Sequence, residues 1–201
     1  MRCYTSWGWM TPTLVRLGIG LFGVGLIAAS AQPPALKGSP GNPLTVCEIL
    51  KEPLKWDGQV VTVRDHTQGT DEGAWLAGKE CRGIFVTNGH VVWPSMIALG
   101  TPSLPGNLHS PDFTYDVDSE RRVSAKGEEL AKSVPWSCLV STYTGLFETR
   151  RDWAAARVTY PNGTSKVRGF GHLGAAPAQS LLRSADDIEV DPHCRSRKTG
   201  K

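Results

Sequence analysis

No C-x-x-C pair, no H-x-x-x-H or H-E-x-x-H spacing and no G-x-S-x-G turn occurs anywhere in the 201 residues. The first absence argues against a thioredoxin-like redox motif or a zinc knuckle. The second excludes a zinc site built on one helix, and the third excludes a hydrolase nucleophile elbow. Internal repeats are lacking too. Long apolar runs are scarce, the longest being Leu17 to Ala29. That run is short of the ~20 residues a bilayer-spanning helix needs.

The apolar run sits where a secretory leader has one. Met1 to Arg16 carries two arginines and no acid, the run follows, and Ala29-Ser30-Ala31 supplies small residues before a cut. Residues 1–31 are therefore expected to be a signal peptide, and the chain to be periplasmic or secreted. An uncleaved leader would leave it membrane-anchored, the one membrane association expected. Losing Arg2 and Arg16 with the leader leaves 20 basic against 19 acidic residues, from 22 and 19 in the whole chain. Nucleic-acid binding draws most of its affinity from phosphate neutralisation and shows as basic excess. The near-neutral mature chain argues against it. The basic tail, residues 194–201, reads as a terminus rather than a patch.

Cys3 departs with the leader, and Cys47, Cys81, Cys138 and Cys194 remain. An even count in an exported chain reads as two disulfides. Of three connectivities, Cys47–Cys81 with Cys138–Cys194 is expected, because each pair closes a moderate loop. No cofactor or metal is called for.

Residues 32–43, rich in Pro, Gly and Ser, read as a linker to a single domain over 44–193. Leu44 to Lys51 reads as an amphipathic helix, with Thr45 as cap, Glu48 three residues on and Pro53 as its stop. Asp57-Gly58 marks a turn. Strands are expected at Val60–Arg64, Ala74–Ala77 and Gly83–Thr87. Asn88-Gly89 then turns the chain into His90–Trp93, and Ser95–Leu99 extends the same sheet. Gly100 to Pro111 is a loop. Ser119 to Lys132 reads as a helix capped by Ser119, with Gly127 against it. The longest strand lies within Trp136–Arg150, bent at Gly145. A strand and turn follow at Arg157–Gly163, and the last extended segments are Gln179–Arg183 and Ile188–Val190.

This order predicts a mainly β domain with short helices: an OB-like, five-stranded, partly open Greek-key barrel with a helix between its third and fourth strands. A β-sandwich is the alternative. Cys47-Glu48-Ile49-Leu50, the run Trp56 to Arg64, Tyr143 to Thr149, and Gly169 to Gln179 with Ser184 to Val190 resemble small OB-like domains of exported bacterial proteins. The resemblance covers about Leu44 to Val190 and implies a fold more than a function, since that group carries no assigned reaction. Asp65-His66 departs from it, standing where a glycine is common.

Gly169-Phe170-Gly171-His172-Leu173-Gly174 matches G-x-G-x-x-G. With Pro177 close behind and no crossover helix, it reads as a loop needing glycine conformations rather than a dinucleotide site. His172 within it reads as a packed, hydrogen-bonded structural residue. The catalytic alternative is a hydrolase pairing His172 with a carboxylate. His66, His90 and His172 would form a metal site only if folding gathered them; His109 and His193 have no ligand spacing. Ser141 reads as sheet surface, and Glu128-Glu129 and Asp186-Asp187 as solvated charges. Asn162-Gly163-Thr164 matches a glycosylation acceptor but is explained by a turn. Trp56, Trp75, Trp93, Trp136 and Trp153 are many tryptophans for one domain. Trp75 and Trp93, with Phe85 and Tyr143, could form a stacking platform for a ligand, with core plugging as the competing use. The functional expectation is a binding module for a small molecule, glycan or protein without a catalytic constellation. The alternatives are the hydrolase just described and single-stranded nucleic-acid binding.

Overall fold

A computed structural model describes residues 35–71, 73–81, 85–87, 91–102, 111–152 and 156–194, with backbone alone at Phe85, Val86, Thr87, Val91, Val92 and Val158. The leader, residues 32–34, Gly83 and Ile84, the Asn88-Gly89 turn, His90, His109, Trp153 and the tail from Arg195 lie outside the described residues.

In chain order the elements are α1 (Val46–Lys51), α2 (Pro53–Trp56), β1 (Val60–Thr70), β2 (Gly73–Ala77), β3 (Phe85–Thr87), β4 (Val91–Trp93), β5 (Met96–Gly100), α3 (Val117–Ala131), β6 (Leu139–Thr149), β7 (Arg157–Thr159), β8 (Ser165–Val167) and β9 (Ala178–Val190). Short 3-10 turns occupy Trp136–Cys138 and His172–Gly174. Among the described residues no helix is long and apolar enough to cross a membrane.

The fold is mainly β, built on one five-stranded mixed sheet in the order β1-β2-β5-β9-β6, with β6 pairing back onto β1. The strands are not spaced evenly round an axis. Four pairings are antiparallel, and β5 runs parallel to β9. The five belong to one hydrogen-bonded sheet. β1 does not stop at Asp65-His66. It pairs with β6 from Val60 to His66 and with β2 from His66 to Thr70, changing partner at that residue.

The third strand of the sheet is Met96–Gly100, not Gly83–Thr87. The expected strand and its return form a separate hairpin, β3 with β4, inserted between β2 and β5. Both segments have strand composition; long-range pairing with β9 decides which one joins the sheet. A second hairpin, β7 with β8, stands between β6 and β9. The two expected terminal segments are one strand, β9. Its register against β6 shifts after Thr142 and after Thr144. Gly145 permits the close approach there: a Cβ would lie 2.5 Å from the Leu181 carbonyl oxygen.

α1 has its expected capping box. The Thr45 hydroxyl accepts from Glu48 N, and the Glu48 carboxylate accepts from Thr45 N. Pro53 does more than end α1, since it opens α2 at a position where its missing N–H costs nothing. α3 starts earlier than expected. Asp116 is its cap, accepting from Ser119 N, while Ser119 is buried and its hydroxyl accepts from Ala185 N. Gly127 belongs to the helix because packing needs it: a Cβ would lie 3.0 Å from Ile188 Cδ1 and 3.2 Å from the Trp136 ring.

Val46, Ile49 and Leu50 of α1 bury their faces against Val61, Val63, Leu76, Ile97 and Phe147. Val123 of α3 packs with Leu139, Ala185 and Ile188. The expected linker is fixed to the sheet in its second half, because Thr62 N donates to the Gly38 carbonyl and Leu44 bridges to Val63. Both expected disulfides form, with Cα separations of 5.4 Å for Cys47–Cys81 and 5.5 Å for Cys138–Cys194, inside the range a bridge requires. Gly78 leaves room for the first: a Cβ there would lie 2.7 Å from Cys81 Sγ and 2.8 Å from Cys47 Sγ.

Candidate functional site, a cleft on the β2–β5 face

Alternation along β2 and β5 sends Leu76 and Ile97 into the core and leaves Trp75 opposite Ala98 on the other face. A cleft of about 910 Å³ lies over that face. Its floor includes Ala74, Trp75, Met96, Ala98 and Leu99; the β1–β2 turn closes one side with Thr70 and Gly73. Trp75 is half-buried, and its indole N–H donates to Gln68 Oε1 at 3.2 Å. Gln68 is its register partner on β1, so the ring is held from behind.

The glycine-rich segment forms another part of the lining and meets the β1–β2 turn, where a Cβ on Gly73 would lie 4.0 Å from His172 Cβ. Phe170 N and Ala176 N each donate to the other residue's carbonyl, and Gly169 N donates to the Gly174 carbonyl. Gly171 has φ 69° and ψ −165°, a combination that only glycine adopts cheaply. A Cβ on Gly171 would lie 2.7 Å from Ala98 Cβ, so this backbone rests on β5. Gly169 could carry no side chain either, its Cβ falling 2.0 Å from the Ala176 carbonyl oxygen. The reading of G-x-G-x-x-G as loop geometry holds. Leu173 is the one described non-glycine residue with positive φ, at 54°, and it is 78% exposed.

Arg150, just past the end of β6, and Arg168, before the glycine segment, bring cationic groups to the cleft. The Arg150 guanidinium lies 4.9 Å from the centroid of the Phe170 ring, and its buried Nε has no hydrogen-bond partner. Deeper in, Gln179 of β9 lines the cleft and donates through Nε2 to the fully buried Glu148 at 2.5 Å. The described lining residues include no Asp, Glu, Ser or Cys. Such a surface can bind and orient a ligand.

No protein-family model matches the chain, and no solved structure matches it.

Of the four expected platform aromatics, Trp75, Trp93 and Tyr143 go to different places. Trp75 lines the cleft. Trp93 is 6% exposed and packs with Ala98, Ala156, Phe170 and Ala176, so it plugs a core. Tyr143 lies opposite Ala185 on β6, packed between two apolar clusters. Burial there pushes its hydroxyl pKa up. Phe85 pairs with Trp93 across β3 and β4, and its side chain is outside the described residues. His172 is exposed on the cleft rim, not packed as expected. The glycines hold the loop by their own backbone contacts and leave the histidine at the surface.

His66 is committed elsewhere. Its Nε2 lies 2.8 Å from Asp191 Oδ2 and its Nδ1 3.2 Å from Asp65 Oδ1, with about 13% of its side chain exposed. Asp65 also accepts from Val46 N at the start of α1, and Asp191 from His193 N. The cluster therefore ties β1 to α1 and to the segment after β9. The His66 hydrogen bond holds the Asp191 carboxyl below the usual carboxylate range. Among the described residues no group of His, Cys, Asp and Glu could hold a metal ion, and His90 lies outside them. Ser141 is fully buried rather than on the sheet surface, and it accepts from the Thr67 hydroxyl at 2.5 Å. The Asp186-Asp187 pair is not merely solvated: Asp186 accepts from Thr144 and Ser184, and Asp187 from Lys126. Arg150, Phe170 and Gln179 were not singled out by sequence. Phe170 stands within the glycine segment and Gln179 soon after it, while Arg150 carried no sequence signal.

Proposed function

We propose that the chain is an exported, OB-like binding module whose ligand sits in the cleft over Trp75. Numbered within the sheet, the strand order is 1-2-3-5-4 and back to 1, with strands 3 and 5 parallel and α3 between strands 3 and 4. That is the order of an OB barrel, a fold that binds ligands on its strand 2–3 face between the 1–2 and 4–5 loops. The observation that carries the reading is the cleft's position on that face, between the β1–β2 turn and the β6–β9 connection. Two disulfides fit an oxidising compartment. N-terminal sequencing from the native host should find a mature chain beginning near Gln32, and an intact Met1 in a cytoplasmic fraction would oppose export.

The test of binding is a thermal-shift screen of metals, sugars, peptides, oligonucleotides and small acids. It runs on wild type, Trp75→Phe and Trp75→Ala. Compounds bound in the cleft should raise the wild-type melting temperature, raise it less in Trp75→Phe, and fail in Trp75→Ala. Hits that protect all three equally would place the ligand elsewhere.

A further inference from the structure

Resting on the cleft reading, we infer that the ligand class is a small anion: a carboxylate or phosphate attached to a flat ring. Arg64, Arg121 and Arg151 each face a carboxylate. Among the described residues Arg150 and Arg168, the two arginines lining the cleft, form no ion pair, and the buried Arg150 Nε has no hydrogen-bond partner. The described lining offers them no carboxylate.

A buried, unpaired cationic nitrogen is costly, and a bound anion offsets that cost. The guanidinium is already oriented, because Phe170 stacks beneath it. Orientation matters for this group: its planar fork pairs two-to-two with a carboxylate or phosphate, and less ordering is then needed on binding. The remaining floor, with Trp75 opposite Ala98 and Leu99 beside it, suits a flat apolar body rather than a second charge.

Size separates this ligand from a polymer. About 910 Å³ is within the ~300–1,000 Å³ of small-molecule sites. A strand of nucleic acid would also need further phosphate contacts along the surface, which the near-neutral mature charge does not favour.

The test uses matched probes on the mature, oxidised protein, with affinities measured by titration calorimetry. The probes are 1-naphthoate, 1-naphthyl phosphate, neutral 1-naphthamide and an eight-residue oligothymidylate. At least one anionic probe should bind at least ten times more tightly than 1-naphthamide, and which one does so separates carboxylate from phosphate. Arg168→Gln and Arg150→Lys should each weaken the preferred anionic probe several times more than they weaken 1-naphthamide, removing most of that preference. The first is an exposed position that folding tolerates, and the second keeps the charge but loses the fork. Trp75→Ala should weaken all three ring probes together.

Equal binding of naphthoate, naphthyl phosphate and naphthamide would overturn the anion assignment. If Trp75→Ala still weakened them all, the cleft reading would stand without it. An anionic preference that survives both arginine variants overturns the assignment, as does failure of both anionic probes to bind at millimolar concentration. Ring-probe binding untouched by Trp75→Ala would remove the cleft reading itself. Tighter binding of the oligothymidylate, weakening steeply with salt, would assign the face to single-stranded nucleic acid instead.

Discussion

Replacing Gly171 with Ala should unfold the cleft wall from β5, and the cost can be worked from two separate causes. The first is backbone. At φ 69° and ψ −165° any residue but glycine is strained, by about 1–3 kcal/mol. The second is contact. The new methyl would start 2.7 Å from Ala98 Cβ, about 0.8–1.3 Å inside ordinary carbon contact at about 3.5–4.0 Å. Overpacking of that kind costs about 1–3 kcal/mol. The single variant should therefore lose about 3 kcal/mol or more. Ala98→Gly removes the atom that is struck and leaves the backbone angle alone. By itself it should cost about 1–2 kcal/mol, from one buried methyl and a glycine in a strand. In the double variant the contact cost disappears and the strain stays. The pair should be less destabilised than the sum of the singles by about 1–3 kcal/mol. Urea midpoints at constant m-value for the four proteins supply the cycle. Additive effects would mean that Gly171 does not rest on Ala98, and that the cleft lacks the wall described for it.

Two further outcomes follow from bonds elsewhere in the domain. Asp191 has its carboxyl pKa lowered by the His66 hydrogen bond, with His193 N and Lys79 as its other polar neighbours and Asp65 on the far nitrogen of His66. A carboxylate depressed on folding stabilises above its unfolded pKa, near 3.8, and loses that contribution as pH falls through the folded value. Asp191→Asn should thus be less stable than wild type by about 1–2 kcal/mol at pH 7, and the gap should narrow below pH ~4; denaturation midpoints showing a constant gap down to pH 2 would contradict this. Removing the Cys47–Cys81 bridge as a double Cys→Ala variant opens a loop of sequence separation 34 and should cost about 3–4 kcal/mol by chain entropy. A non-reduced peptide map linking Cys47 to Cys138 or Cys194 would refute the pairing before any stability is measured.

Local chemistry was legible in the sequence. Thr45 and Glu48 announced a capping box that forms as written, because both partners lie within one turn. The cysteine pairing followed from loop lengths alone and holds. The glycine segment was legible as backbone conformation, since three glycines in six residues have few other uses. Non-local choices were not legible. Gly83–Thr87 and Ser95–Leu99 read equally well as strands, and only the pairing of Met96–Gly100 with β2 and β9 promotes the second into the sheet. Gly127 looked like a fault in α3 until the Ile188 and Trp136 side chains were placed against it. Trp75 and Trp93 are equivalent as residue types; one lies over a cleft and the other inside a cluster with Phe170. His66 finds Asp191 125 residues away, a distance at which spacing carries no information. Arg150 and Arg168 gave no signal because a solvated arginine and one lining a cleft look alike in one dimension.

The most direct test of the cleft as the binding surface is an amide and indole chemical-shift map recorded while the tightest ligand of the thermal-shift screen is titrated in. The largest changes are expected at the Trp75 indole N–H, at the Gly169–Ala175 amides and at the Ala98–Gly100 amides of β5, with His66 and its two aspartates still. Changes centred on the His66 cluster or on the Arg64–Glu189 side of the sheet, with Trp75 unmoved, would contradict that expectation.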